Sequence, residues 1–308
     1  MQKRYPKPKA VGGKLIRQVI AFLKEQGLTL PIDSQILCAL SGGSDSLALA
    51  HLLLKYGRRI IAPEQVILVH VNHGWRGKES DADELAVQDF AREYDANIEV
   101  IRLEKPGKAA AGKSLEDLAR RDRYEIFQKL AELHECRFVF TAHQAEDLAE
   151  TLLWRLLTGA AQTQGAGIWA QEGLLLRPFL STRKDTLKSY LKEEKISWRE
   201  DSTNRDPRFQ RTRIRESIFP QIEMVFPQAV QHLVQLGLAA QRGAKEKETE
   251  GYDLGSVFFK IVSGRVRRAH WEALEPLKGR KQGELHLPNG WILKKEGKTR
   301  WVLEQNSV

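Results

Sequence analysis

The sequence predicts an α/β protein: a parallel sheet with helices on both faces, followed by a smaller C-terminal α+β domain. Three observations carry this. Apolar, β-rich runs alternate with helical stretches through the first two-thirds of the chain, the pattern of a parallel sheet covered on both sides. A Ser/Gly-rich turn joins the first of these runs to the helix behind it. The alternation stops near residue 217, and short runs separated by glycine turns take over. We therefore divide the chain into residues 1–217 and 218–308. A length of 308 residues suits two domains of roughly 100–200 residues each.

Taken in order, Gln35–Leu40 (QILCAL) reads as a buried strand and Ser46–Tyr56 as the helix after it. Gln65–Val71 is a second strand, Ser80–Asp95 a second helix and Ile98–Leu103 a third strand. From Ser114 to His134, Leu115, Leu118, Ala119, Ile126, Phe127, Leu130 and Leu133 recur at helical spacing. Ser114 and Asp117 suit a capping box at its start. Arg137–Ala142 is another strand, Ala145–Leu157 a helix, and Leu174–Phe179 a further strand. Thr182–Glu194 reads as a helix with its own box of Thr182 and Asp185. Beyond the boundary, Ile222–Arg242 is helical, with Gly243 as its stop. Strands follow at Ser256–Val262, Gly283–Leu287, Trp291–Lys295 and Thr299–Leu303, with hairpin turns at Asn289-Gly290 and Glu296-Gly297.

Composition narrows the function. With 42% hydrophobic and 29% charged residues, the chain is an ordinary globular mixture. No window holds the ~18 apolar residues a membrane helix needs. The first ten residues, MQKRYPKPKA, carry charge and two prolines without an apolar stretch behind them. They read as a frayed basic tail and not as a signal peptide. Cys38 and Cys136 are the only cysteines and form no C-x-x-C pair. A disulfide framework and an all-cysteine zinc site are excluded, and the cytoplasm is the expected compartment. A net charge of +9 points to a polyanionic partner, nucleic acid first.

The most informative segment is Ser41-Gly42-Gly43-Ser44-Asp45-Ser46, between strand and helix. Gly42 and Gly43 let the backbone approach a ligand closely. Free N–H groups and the positive end of the helix dipole converge there, and the Ser41, Ser44 and Ser46 hydroxyls add donors. This is a cradle for phosphate oxygens. Asp45 has the wrong sign for a phosphate, so we assign it to a bridging Mg²⁺. The competing reading is a tight turn with Ser or Asp as helix cap. No G-x-x-x-x-G-K-[ST] loop is present, and Gly165-Ala166-Gly167 is too short for dinucleotide binding.

The hexapeptide resembles the SGGxDS signature of the ATP pyrophosphatases (PP-loop enzymes), which split ATP between its α and β phosphates and activate an oxygen as an adenylate. Within that superfamily, amidotransferase-linked synthetases need a catalytic cysteine domain, and the sulfur-transferring tRNA enzymes use paired cysteines; this chain has neither. Four further segments resemble the tRNA(Ile)-lysidine synthetases. The first is His70-Val71-Asn72-His73-Gly74-Trp75-Arg76-Gly77 with the acidic run after it, where Asp81, Asp83 and Glu84 read as an acidic helix start. The second is Glu116…Arg120…Arg123-Tyr124, whose arginines share a helical face. The third is Thr141-Ala142-His143-Gln144-Ala145-Glu146-Asp147…Glu150, with Asp147 and Glu150 on one face. The fourth is Asp201–Asp206 followed by Arg211-Thr212-Arg213-Ile214-Arg215. Arg177 and Arg183 also match. Gln144, Glu146, Leu148 and Thr212 depart from the family pattern. The likeness spans about 35–215.

The resemblance implies a reaction and its parts. ATP activates carbon 2 of the wobble cytidine of tRNA(Ile) with a CAU anticodon, and free L-lysine displaces AMP to give lysidine. Ser41–Ser46, His70 and His143 would bind ATP, and Asp45 would hold Mg²⁺. Arg120 and Arg123 would offset transition-state charge. Asp147 and Glu150 would hold the lysine ammonium, and Arg177, Arg205, Arg211, Arg213 and Arg215 would contact substrate. The general base and the oligomeric state, a homodimer included, stay open. The alternatives are another PP-loop tRNA modifier with a different nucleophile and a weakly active tRNA-binding relative.

Overall fold

A computed structural model describes residues 6–28, 30, 34–74, 77–103, 115–160, 167–199, 210–250, 282–286, 291–296 and 300–305. Its main sheet has the order β3-β2-β1-β4-β6-β5. Here β1 is Gln35–Ala39, β2 Val66–Asn72, β3 Asn97–Arg102, β4 Cys136–Phe140, β5 Gln171–Glu172 and β6 Leu175–Leu176. All pairings are parallel except that of β5 with β6. The order reverses at β1, which lies between β2 and β4. Open α/β sheets bind ligands outside the carboxyl ends of the strands at such a switch point. The segments after β1 and β4 emerge there side by side, with Cys38 opposite Phe140.

Alternate residues of each strand serve opposite faces. Ile36, Cys38, Leu68 and Phe140 join a core with α1 (Ala10–Glu25), α2 (Ser44–His51) and α3 (Lys78–Glu93). Leu37, Ile67, Val69 and Val139 pack instead on Phe127, Leu130 and Ala131 of α4 (Leu115–Leu133). The sheet is thus covered on both sides, which is why its strands read as unbroken apolar runs. The helix read at Ala145–Leu157 forms over those residues as α5.

Other boundaries differ for physical reasons. The expected basic tail is tied down from Lys9 onward. Lys9 Nζ donates to the Glu193 carbonyl, and the Glu193 carboxylate accepts the Val11 and Gly12 amides, capping α1. Two glycines in its first turn hid this helix from a propensity reading. A Cβ at Gly12 would lie 3.0 Å from the Tyr190 ring, so a side chain there requires that ring to shift. The helix expected at Thr182–Glu194 is α6, Lys184–Glu194. No Thr182/Asp185 box forms; the N-cap is Arg183 without a side-chain cap bond, and the Lys184 amide donates to Glu146 on α5. The strand expected at 174–179 shortens to β6. A short helix α7 (Gln210–Arg213) runs into a π-helical turn, Ile214–Ile218, and then α8 (Phe219–Val225). The helix expected over Ile222–Arg242 breaks at Phe226-Pro227, because proline pushes the residue before it out of helical geometry. It resumes as α9 (Ala229–Glu250), which passes through Gly243 without stopping. A three-stranded antiparallel sheet of β7 (Gln282–His286), β8 (Trp291–Glu296) and β9 (Arg300–Gln305) follows. The strand read at Ser256–Val262, both hairpin turns and the Ser114/Asp117 box fall outside the described residues.

By contacts the chain forms two compact units, Met1–Glu150 with Ile168–Val234, and Thr151–Gly167 with Gln235–Val308. No helix among the described residues is long and apolar enough to cross a membrane.

Behind the phosphate loop, α2 passes into a π-helical stretch, Leu52–Tyr56. His51, at the junction, is fully buried with its Nδ1 on the Tyr190 hydroxyl. Burial first, and the neighbouring Lys55 cation second, lower its pKa to about 4. Between about pH 6.5 and 4 the unfolded chain therefore binds a proton that the fold refuses, and stability falls as pH drops through that window. His51→Gln should flatten the loss between pH 6.5 and 5 by about 1.5 kcal/mol, the slope rising from half to nearly all of ~1.4 kcal/mol per pH unit across that range. Urea unfolding of both proteins at the two pH values checks this; equal losses would mean an ordinary histidine.

Candidate active site at the switch point

The turn after β1 is built by its own side chains. Leu40 still pairs with the sheet, its amide donating to the Val69 carbonyl at 2.8 Å. Gly42 then takes a φ of +87° with only Val87 near its missing Cβ, so the backbone conformation calls for glycine there. Ser46 Oγ accepts the Ser41 amide (3.1 Å), contacts Ser41 Oγ (3.0 Å) and donates to the Gly43 carbonyl (3.1 Å). It braces the loop from inside. The N-cap of α2 is Gly43, with no side-chain cap bond, so the first-turn amides are left for a ligand. Asp45 is therefore not a cap. Its carboxylate accepts Ser44 Oγ at 2.9 Å. Its pKa is raised, by burial first and also by Asp147, against the lowering effects of Lys184, the Ser44 hydrogen bond and Arg215.

The turn after β4 delivers the acidic residues. Gln144 caps α5: its Oε1 accepts the Glu146 amide (2.7 Å), while Asp147 Oδ2 accepts the Gln144 amide (3.0 Å). This reciprocal box gives Gln144, one of the departures from the family pattern, a local role. The other Asp147 oxygen and Glu150 converge on one cation. Arg215 places Nε 3.0 Å and Nη2 2.7 Å from Glu150 Oε2, and Nη2 3.5 Å from Asp147 Oδ1. Burial raises the pKa of the Glu150 carboxyl, and Arg215 opposes that rise. The shared face read from the spacing is real, and the cation it grips here is a guanidinium of the chain itself. Glu146 accepts the Lys184 amide and pairs with Arg183 (2.7 Å), which also holds Glu223 (2.9 Å).

Histidines and arginines make the other side. His70 is buried and donates from Nδ1 to the Leu40 carbonyl at 2.8 Å, bracing the start of the loop. His143 holds the Thr141 hydroxyl through Nδ1 (3.0 Å). Burial, then the positive charges of Arg177, Arg120 and Arg123, lower its pKa to about 3; it is neutral at physiological pH. Arg120 and Arg123 are exposed, with the Arg120 guanidinium 5.1 Å from the Tyr124 ring centroid. Arg177 has no exposed surface, and it donates to the Trp169 carbonyl (2.6 Å) and Glu172 (3.0 Å). Arg177, expected to contact substrate, is here turned inward to these two partners, and its charge acts on His143. Arg211 and Arg213 are exposed, and Arg205 lies outside the described residues. Glu84 bonds Asn72 and Arg102, and Asp83 pairs with Arg199, in keeping with a structural acidic helix.

No cluster of three or more metal-ligating side chains occurs among the described residues. Mg²⁺ commonly needs only one or two carboxylates beside substrate phosphates, and the one carboxylate in the first turn of α2 is Asp45. The sequence reading missed Lys184, at the start of α6, whose charge is the strongest counterweight to burial at Asp45. No local signal marks it, because only the strand order brings α6 to the loop.

The PP-loop domain family matches residues 14–222 of this chain. A tRNA(Ile)-lysidine synthase from Thermus thermophilus is 32% identical over 315 residues, covering 92% of this chain and 60% of that protein. Those of Geobacter sulfurreducens and Symbiobacterium thermophilum are 35% and 37% identical, over 71% and 70% of this chain and 46% and 45% of their own lengths. The chain thus spans between 45% and 60% of the length of these relatives. Among solved structures, a U34-tRNA thiolase from Methanococcus maripaludis with its [4Fe-4S] cluster aligns with a TM-score of 0.61 at 18% identity, covering 83% of this chain and 84% of that one. That likeness speaks for the fold.

Proposed function

This chain belongs to the PP-loop family of ATP-binding domains, and from that premise we propose that it ligates lysine to the wobble cytidine of an isoleucine tRNA with a CAU anticodon. One observation carries the reading: the phosphate loop with Asp45 and the cation-gripping pair Asp147 and Glu150 meet at a single switch point. The identity to curated lysidine synthases supports it.

The carbonyl oxygen at carbon 2 of cytidine is a poor leaving group until adenylated. The free amides at the start of α2, with Gly42 and Gly43, hold the phosphates of ATP. Asp45 would hold a Mg²⁺, which would supply charge neutralisation to those phosphates. Arg120 and Arg123 offset charge that develops during transfer. Asp147 and Glu150 then hold the lysine so that its ε-amine, once deprotonated, displaces AMP. Cys38 and Cys136 are both buried, and burial alone raises the thiol pKa values to about 12 and about 11. That disfavours a cysteine-borne sulfur donor, and with it the alternative of a sulfur-transferring enzyme. A tRNA substrate puts the work in the cytoplasm, and residues 218–308 are assigned to tRNA binding.

The test is mass analysis of that tRNA after incubation with the protein, ATP and isotopically labelled lysine. Label in the wobble nucleotide, with AMP and pyrophosphate released in step, is the expected result; AMP release without lysine incorporation would defeat the reading. Affinity for tRNA should also fall steeply with salt as basic side chains displace counterions. Arg211→Ala and Arg213→Ala should each weaken binding and reduce the salt slope by about 1, as read by filter binding at several salt concentrations. An unchanged slope would remove both residues from the RNA surface.

A further inference from the structure

The acidic pair already has an occupant. Arg215 lies half-buried against Glu150 and Asp147, with two of its nitrogens on one Glu150 oxygen. Its charge also acts on Asp45, lowering that carboxyl's pKa against the effect of burial. The residue stands on the π-helical turn Ile214–Ile218, whose buried Ile214 fixes the turn while Arg211 and Arg213, just before it, face solvent. Arg215 is thus the half-buried member of a basic run whose Arg211 and Arg213 are exposed, with Arg211 near enough for its charge to act on Glu150 as well.

Two carboxylates that recognise an ammonium group recognise a guanidinium by the same chemistry, and Arg215 is the better pre-organised of the two. Arg215 occupies the buried Glu150 oxygen with two nitrogens and touches Asp147 only at 3.5 Å. A lysine ammonium that needs that Glu150 oxygen must compete with Arg215 for it. What competes with a carboxylate for a guanidinium is a phosphate oxyanion, which arginine also grips bidentately.

We propose that Arg215 is a resident plug of the lysine site, and that a phosphate-bearing substrate draws it off Glu150 and Asp147 so that lysine binds second. The inference rests on the lysine reading of this site and adds an order of binding to it. Only the fraction of molecules with Arg215 withdrawn is competent for lysine, and the apparent affinity falls by that fraction. The phosphate is either a tRNA phosphodiester or the triphosphate of ATP.

Equilibrium dialysis of the full chain with radiolabelled L-lysine at pH 8 tests this in four arms: protein alone, with tRNA, with a non-hydrolysable ATP analogue, and with both. Wild type alone should bind lysine at least roughly tenfold more weakly than Arg215→Gln alone, a difference of about 1.4 kcal/mol. Whichever phosphate source withdraws the plug should close that gap in its own arm. Arg215→Lys, which keeps the charge and loses the fork, should fall between the two, and melting curves identify any variant that has not folded. Weaker lysine binding by both variants would make Arg215 a lysine ligand and overturn the plug. Equal binding by wild type and Arg215→Gln in every arm would also overturn it, while leaving the lysine reading in place. Absence of lysine binding in all arms, with pyrophosphate release on tRNA intact, would remove both.

Discussion

Asp45→Ala is expected to cut ATP-dependent pyrophosphate release by roughly 100- to 1000-fold, the range found when one preorganised electrostatic group is lost, and to leave the fold more stable. The second half of that result gives the first its meaning. Gly43, not Asp45, caps α2, so no cap is removed. Burial holds the Asp45 pKa above its usual value near 3.8. At neutral pH the folded protein therefore bears a cost for ionising this group that the unfolded chain does not. The sign follows directly: removing the carboxyl raises the melting temperature at pH 8, and the gain shrinks as pH falls through the folded pKa and Asp45 takes up its proton. A carboxyl whose loss raises stability and abolishes pyrophosphate release would be one retained for chemistry. Pyrophosphate release and melting curves on the same preparation decide the matter. Near wild-type release, or a melting temperature that drops at every pH, would return Asp45 to a structural role.

The parts of the fold that were legible in the sequence are those whose causes are local. Runs such as QILCAL and VILVHV are apolar throughout because both faces of their strands are covered, and the loop is legible because its glycines and hydroxyls act within six residues. Helix α5 was readable to its ends for the same reason: Gln144 and Asp147 cap it reciprocally three residues apart. Failures came where the cause is distant. Helix α1 is held by Glu193 and α6 by Glu146, capping groups 182 and 38 residues away. Pro227 is a different case: its break was visible in the sequence, and the apolar periodicity on either side masked it. In the site, Asp147 and Glu150 announced a cation through their spacing. That the cation is Arg215, 65 residues beyond Glu150, depends on how α7 and its π turn return to the strand ends, which no window of sequence contains.

Glu150→Gln should raise the KM for lysine roughly ten- to a hundredfold with tRNA and ATP saturating, and adenylation of tRNA in the absence of lysine should survive. The magnitude is that of one charge-assisted hydrogen bond, about 1.5–3 kcal/mol, converted at 1.4 kcal/mol per factor of ten. Saturating tRNA and ATP matter, because with Arg215 drawn away the measurement reports the affinity of the carboxylates for lysine alone. Asp147→Ala, which removes the acceptor altogether, should raise the KM at least as far but carry a second signature. Asp147 closes the cap on α5 through the Gln144 amide, and a weakened cap costs about 0.5–2 kcal/mol. Glu150 takes no part in that cap, and burial raises the pKa of its carboxyl, so its neutral replacement should leave the melting temperature little changed. The half-exposed Arg215 can turn to solvent when its partner is lost. Lysine titrations and melting curves on both variants therefore separate binding from capping: KM rises in both, and stability falls in one. If stability alone fell, the pair would be no more than a helix N-terminus. If adenylation collapsed while the lysine KM held, the carboxylates would belong to Mg²⁺ or to ATP, and the amine would have to be sought elsewhere.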